Sequence, residues 1–156
     1  MSSLFLFALG IGFVAGLRSL TAPALVCWAA HLGWINLHGS PLAFMGSAWA
    51  VGLFTLAAIA EWVADLLPNT PPRTAPAGLI TRLVTGGLCG SCLALAGGQV
   101  LLLGALCGAI GGIAGAFLGK AARTGLVKAL HVPDPMIAIP EDLIAVGLGV
   151  FVVSRF

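Results

Sequence analysis

The chain has 156 residues, of which 60% are hydrophobic and only 8% charged, with a mean hydropathy of +1.11 and a formal net charge of +2. A soluble domain carries about 25% charged residues, so these side chains cannot cover a globule in water. The absence of a basic tract argues against a nucleic-acid partner. The expected class is an all-α polytopic transmembrane bundle, one domain over residues 1–156, with the lipid bilayer as its solvent.

The opening MSSLFLFALG lacks the positive n-region of a signal peptide, and the apolar run is too long for an h-region, so the first helix is expected to be retained. That run, from Leu4 to about Leu32, is too long for one straight crossing. As a helix it would rise about 43 Å against a hydrocarbon core of about 30 Å. It must tilt, protrude or break. The best break lies between Gly16 and Pro23, where Pro23 lacks a backbone donor and Ser19 or Thr21 could cap a new start. A second span runs from about Leu42 to Leu67, where LPNTPP stops it. A third covers about Pro76 to Ala96, and a fourth runs from Gln99 to about Lys120 with room for a helical tail to Leu130. A fifth starts at Pro140 and ends at Phe156.

With about five spans, Arg73 and the trio Lys120, Arg123 and Lys128 fall on the side of the N-terminus, and Arg155 falls opposite. The positive-inside rule then predicts a cytoplasmic N-terminus and an external C-terminus. Trp28 and Trp34 belong to the outer interface and Trp62 to the inner one. A faint repeat relates GFVAGLR in span one to GAFLGKA in span four, each followed by an acidic pair, Glu61 and Asp65, then Glu141 and Asp142. If spans one–two and four–five are its units, the linking third span makes the repeat inverted, a layout of many transporters.

Most charges have a topological reading. Glu141 and Asp142 follow Pro140 and suit a first helical turn, while Lys120, Arg123, Lys128 and Arg155 suit helix C-termini. Four charges do not fit. Glu61 and Asp65 share a face at the negative end of span two, Arg82 stands near the positive end of span three, and Arg18 lies mid-span. A central arginine costs about 2.5–3.5 kcal/mol on insertion scales. Arg18, Glu61, Asp65 and Arg82 are therefore the candidate intramembrane site, with Ser19, Lys120, Arg123, Glu141 and Asp142 as secondary candidates. Arg18 is expected to pair with the face made by Glu61 and Asp65, and Arg82 to close the cluster. The expected role is a small transporter or channel-like permease, in which Arg18 and Arg82 would hold a small anionic or carboxylate substrate with Glu61 and Asp65 as their counter-ions. The alternative is a set of structural ion pairs locking a membrane scaffold.

CGSC, Cys89 to Cys92, is a C-x-x-C within an apolar Gly-rich span. It reads as packing, with thiol redox chemistry as a second alternative. His31 and His38 flank the first outer loop as interface residues, without further metal ligands nearby. Gly111, Gly115 and Gly119 form a glycine zipper that packs a helix either within the chain or across a homodimer. Common catalytic signatures and cofactor motifs are missing, so no enzyme activity, cofactor or metal is expected.

GLRS in span one, Glu61-x-x-x-Asp65-x-x-Pro68, Arg82 followed by Gly86 and Gly87, a Gly-rich fourth span ending in Lys and Arg, and Glu141-Asp142-Leu143 occur in order. This pattern, over most of the chain, resembles the bacterial integral-membrane family catalogued as domain of unknown function 4126. In that family a basic residue often follows the proline directly, whereas here the cation is delayed to Arg73. The resemblance implies a small polytopic protein of the bacterial inner membrane and carries no activity with it.

Overall fold

A computed structural model describes residues 2–65, 74–131 and 134–156. These form α1 (Ser2–Leu17), α2 (Thr21–His31), a 3-10 turn (Ala43–Gly46), α3 (Ala48–Asp65), α4 (Pro76–Ala96), α5 (Leu101–Leu130) and α6 (Asp134–Val153), with no strand among the described residues. α3, α4, α5 and the Met136–Val153 part of α6 are each long and apolar enough to cross a membrane, and α1 is a shorter apolar helix. The chain is a small multi-pass membrane protein, an all-α bundle of about five spans. Its outside is apolar, with Trp49, Leu53, Leu56, Leu102, Leu118 and Leu143 well exposed, a surface suited to acyl chains.

The centre is a seam of glycines. α5 lies between α1 and α4. Gly12 and Gly16 of α1 meet Gly108, Gly112 and Gly115 of α5, while Gly86 and Gly90 of α4 meet Gly108 and Gly104 from the other side. A Cβ at Gly86 would stand 2.6 Å from the Gly108 carbonyl oxygen, so the backbones themselves are in contact. Dispersion at this distance holds membrane helices together without a hydrophobic driving force. Gly111 and Gly115 face Leu9, Phe13 and Gly16, and Gly119 is buried as well. Gly111 and Gly115 of the stripe are thus packed on α1 within the chain.

The contact order also corrects the repeat. Paired positions rise together along α1 and α5, so these helices run parallel. Spans one and four of an inverted repeat would run antiparallel.

The first span breaks where expected, at Arg18, Ser19 and Leu20 between α1 and α2. The chain also turns back there. Val14 and Leu25 both flank Gly149 of α6, although eleven residues of straight helix would separate them by about 16 Å. α3 then returns along α2, with Trp28 Nε1 donating to Thr55 Oγ1 (3.1 Å) and Trp62 Nε1 to Thr21 Oγ1 (3.3 Å). This extra reversal brings the termini together: the rings of Phe7 and Phe156 are 5.9 Å apart, edge to face. The expectation of termini at opposite ends is thereby overturned.

Two boundaries differ from those read in the sequence. The second span begins with the 3-10 turn and α3 proper starts at Ala48. The last helix begins at Asp134, six residues before Pro140, which lies inside it. Proline there forfeits the bond its amide would make to the Met136 carbonyl, and the helix runs on through it to Val153. The LPNTPP stop, including Pro68, and Arg73 lie outside the described residues.

Candidate functional site

The break at residues 18–20 leaves the last carbonyls of α1 and the first amides of α2 without helical partners, inside an apolar bundle. Such groups are costly where no water reaches them. Neither Ser19 nor Thr21 supplies the cap expected of them. The N-cap position is Leu20, which has no capping side chain. The cap arrives from α3 instead. Glu61 accepts hydrogen bonds from the Ser19 and Leu20 amides, both at 2.9 Å, and from the Ser19 hydroxyl at 2.6 Å. On the other side of the break, Arg82 of α4 donates from Nε to the Gly16 carbonyl and from Nη1 to the Gly78 carbonyl, both at 3.0 Å.

An anion thus stands at the positive start of α2 and a cation at the negative end of α1. Glu61 and Arg82 oppose the dipoles of their own helices, which is why they look misplaced in the sequence. They serve the dipoles of the broken one. Their own charges face each other at 4.0 Å, Arg82 Nη2 to Glu61 Oε1.

Arg18 occupies the break itself and is 2% exposed. Its Nε donates to Asp142 Oδ1 at 2.5 Å. Its Nη1 lies 2.8 Å from Asp65 Oδ2, a charge contact without the alignment of a hydrogen bond. Arg123 of α5 extends the chain of charges, with Nη1 3.7 Å from Glu141 Oε2 and 4.0 Å from Asp65 Oδ2. The order is Asp142, Arg18, Asp65, Arg123, Glu141, drawn from α3, α5, α6 and the break. The four carboxylate side chains retain 12–18% exposure, whereas Arg18 is sealed.

Arg18, Glu61, Asp65 and Arg82 are therefore brought together, with Arg18 beside Asp65 and Arg82 facing Glu61 as expected, but without the expected Arg18–Glu61 pair. Asp65 pairs with Arg18; Glu61 is spent on the break. Asp142 takes the second place beside Arg18, and Glu141 faces Arg123, so neither is a first-turn charge. The early start of α6 moves both into its third turn. Arg123 belongs to the network and is more than a topological signal. Lys120 stands apart, donating to Thr74 Oγ1 at 2.9 Å. The signal that could have found Asp142 is an acidic residue on the fifth span at the depth of Arg18, hidden by reading Pro140 as a helix start.

The remaining candidates are less involved. Cys89 and Cys92 are buried free thiols in the same core as Cys27, whose Sγ lies 3.8 Å from the Met45 sulfur. His31 Nδ1 lies 3.0 Å from the Gly46 carbonyl oxygen. Among the described residues no group of three or more histidine, cysteine or acidic side chains is arranged to hold a metal ion. Compared with family models, curated proteins and solved structures, the chain matches none of them.

Proposed function

We propose that the chain is a small permease whose charge network handles a small cation, a proton or an alkali ion, at one end of the bundle. The observation that carries this reading is the division of exposure within the network. The acids keep contact with the surroundings while Arg18 is enclosed. An anionic substrate, the expectation from the arginines, finds them already committed: Arg18 to two aspartates and Arg82 to two carbonyls. Ionisable side chains held within a membrane bundle commonly mark such pathways. In proteoliposomes carrying a trapped pH dye or a sodium- or potassium-sensitive dye, a preset gradient should collapse faster than in empty vesicles, and Asp142→Asn should abolish the difference. Movement of acetate or lactate alone would return the reading to an anion carrier.

The second reading is a structural lock in a membrane scaffold. It is favoured by the way Glu61 and Arg82 spend their hydrogen bonds on the break. A scaffold would show no flux in any of these vesicles. Burial of Cys89 and Cys92 supports packing over thiol chemistry.

For orientation, the charged end carries Lys120, Arg123 and Lys128, and Arg155 lies at the other. By the positive-inside rule the charged end faces the cytoplasm. Both termini then face outward, in the bacterial inner membrane that the family resemblance implies. A reporter active only in the cytoplasm should be silent when fused to either end. Signals that differ between the two ends would contradict the turn-back at residues 18–20.

A further inference from the structure

We infer that the ion taken up by the charge network is a proton, carried on its carboxylates, and that alkali ions are kept out by the guanidinium groups standing between the acids. This names the cation of the permease proposed above, and for transport rests on it; what the site binds rests on the geometry alone.

An alkali ion gives up its water only where several oxygens converge to replace it. The described acids do not converge. Arg18 separates Asp142 from Asp65, with contacts of 2.5 and 2.8 Å. Arg123 separates Asp65 from Glu141, at 4.0 and 3.7 Å. Glu61 faces Arg82 at 4.0 Å and accepts from the Ser19 and Leu20 amides. Among the described residues no three acidic, histidine or cysteine side chains are grouped to hold an ion. A metal ion approaching Asp65 Oδ2 would come against two guanidinium groups, and like charges repel strongly where little water screens them.

The sealed arginine adds a second reason. Arg18 Nη1 is buried and no acceptor meets it in hydrogen-bond alignment, although Asp65 Oδ2 lies 2.8 Å away. A buried donor aimed into a site favours an acceptor there and disfavours a metal ion. A protonated Asp65 is compatible with it, because a neutral carboxyl keeps an oxygen that accepts while its hydroxyl donates elsewhere. A proton also needs no space between side chains packed this closely.

Within the network only carboxylates can carry the proton. Its bases are Arg18 at the break, Arg82 on α4 and Arg123 on α5, and a guanidinium does not give up its proton in a protein. The amine of Lys120, at the same end, donates to Thr74. The titrating groups are therefore Glu61 and Asp65 from α3 with Glu141 and Asp142 from α6. All four keep some contact with the surroundings, through which water delivers the proton. Acids that share arginines titrate together, so the midpoint belongs to the network as a whole.

The test is pH-difference infrared spectroscopy on the full chain in lipid nanodiscs, following the carbonyl stretch of a protonated carboxyl. The band should grow as the pH is lowered from about pH 9 to about pH 4. Its midpoint should stay the same when choline is replaced by sodium or potassium at constant ionic strength. Asp65→Asn should move that midpoint by about one unit or more, and Asp142→Asn serves where Asp65→Asn does not fold. A midpoint that falls as sodium or potassium rises would overturn the inference, because the metal ion then competes for the same carboxylates. A band that neither variant alters would overturn it as well, by placing the proton outside the network. Should neither variant fold, the wild-type competition still decides. In the dye-loaded vesicles, only the pH dye should respond. A sodium or potassium signal without a proton gradient would spare the permease and overturn the proton. No flux of any ion, together with a midpoint indifferent to sodium and potassium, would refute the permease and leave the proton site standing.

Discussion

Arg18→Leu should destabilise the detergent-solubilised protein by about 3–5 kcal/mol, the range for removing one partner of a buried ion pair. The substitution leaves Asp65 and Asp142 facing each other across the space the guanidinium filled. Their 17% and 18% exposure lets water relieve part of the repulsion, which places the effect toward the lower end. For a chain of this length the loss lowers Tm by roughly 10 °C. Adding Asp142→Leu should restore at least about 1 kcal/mol, since the second substitution removes one of the stranded acids. Adding Glu61→Leu should restore nothing, because Glu61 holds the amides of Ser19 and Leu20 and does not pair with Arg18. Thermal unfolding of the two singles with Asp142 and their double gives the coupling directly. Strict additivity would mean that the Arg18–Asp142 contact carries no energy.

This pattern separates what the sequence could reveal from what it could not. The break at 18–20 was legible because an apolar run of that length cannot cross a bilayer straight and Pro23 offers a place to interrupt it. Arg18, Glu61, Asp65 and Arg82 were legible as a group because each is unfavourable where its own helix puts it. Their partners were legible only in part: the Arg18–Asp65 pair follows from the sequence, whereas the backbone groups held by Glu61 and Arg82 do not. A helix dipole argument considers one helix, whereas Glu61 and Arg82 act on the ends of another. Asp142 was hidden by a proline that usually starts helices and here lies in a second turn. The reversal of the chain after Arg18 was hidden for a related reason. A broken span can continue forward or turn back, and the choice is made by contacts distant in sequence, such as Leu25 on Gly149 and Trp62 on Thr21. Counting arginines and lysines by loop then assigned the termini to opposite faces, because the count assumes the number of crossings.

The glycine seam is what brings these distant groups to one depth. α4 carries Arg82 and α5 carries Arg123, and α1 leads into Arg18; α5 is set at backbone contact against both of the other helices. Arg82 reaches the Gly16 carbonyl at 3.0 Å only because α4 and α1 stand that close. Stability and site geometry are therefore coupled through residues that carry no charge.

Gly108→Ala should be the most damaging addition of a single methyl group to this chain. Its Cβ would meet the Gly86 carbonyl oxygen, with the Gly86 carbonyl carbon at 2.8 Å and the Gly90 Cα at 3.1 Å. These are backbone atoms, which cannot rotate aside as a side chain would. Moving α5 away from α4 drives it into α1, where Gly12 already lies against the Gly108 carbonyl. Overpacking typically costs about 1–3 kcal/mol, and a clash with two seams that cannot yield together should exceed that range. The intrinsic preference of a helix for alanine over glycine, about 1 kcal/mol, is too small to offset it. Gly125→Ala, on the same helix with nothing within 4 Å of the new Cβ, should instead be neutral or stabilising by up to about 1 kcal/mol. The identical substitution at two places on α5 is thus expected to change thermal stability in opposite directions. Equal effects would mean that α5 is not in backbone contact with α4 and α1. Should Gly108→Ala still fold, the displaced α4 carries Arg82 away from Gly16, so the α1 carbonyl loses its partner and the break at residues 18–20 should be the first part of the bundle to loosen.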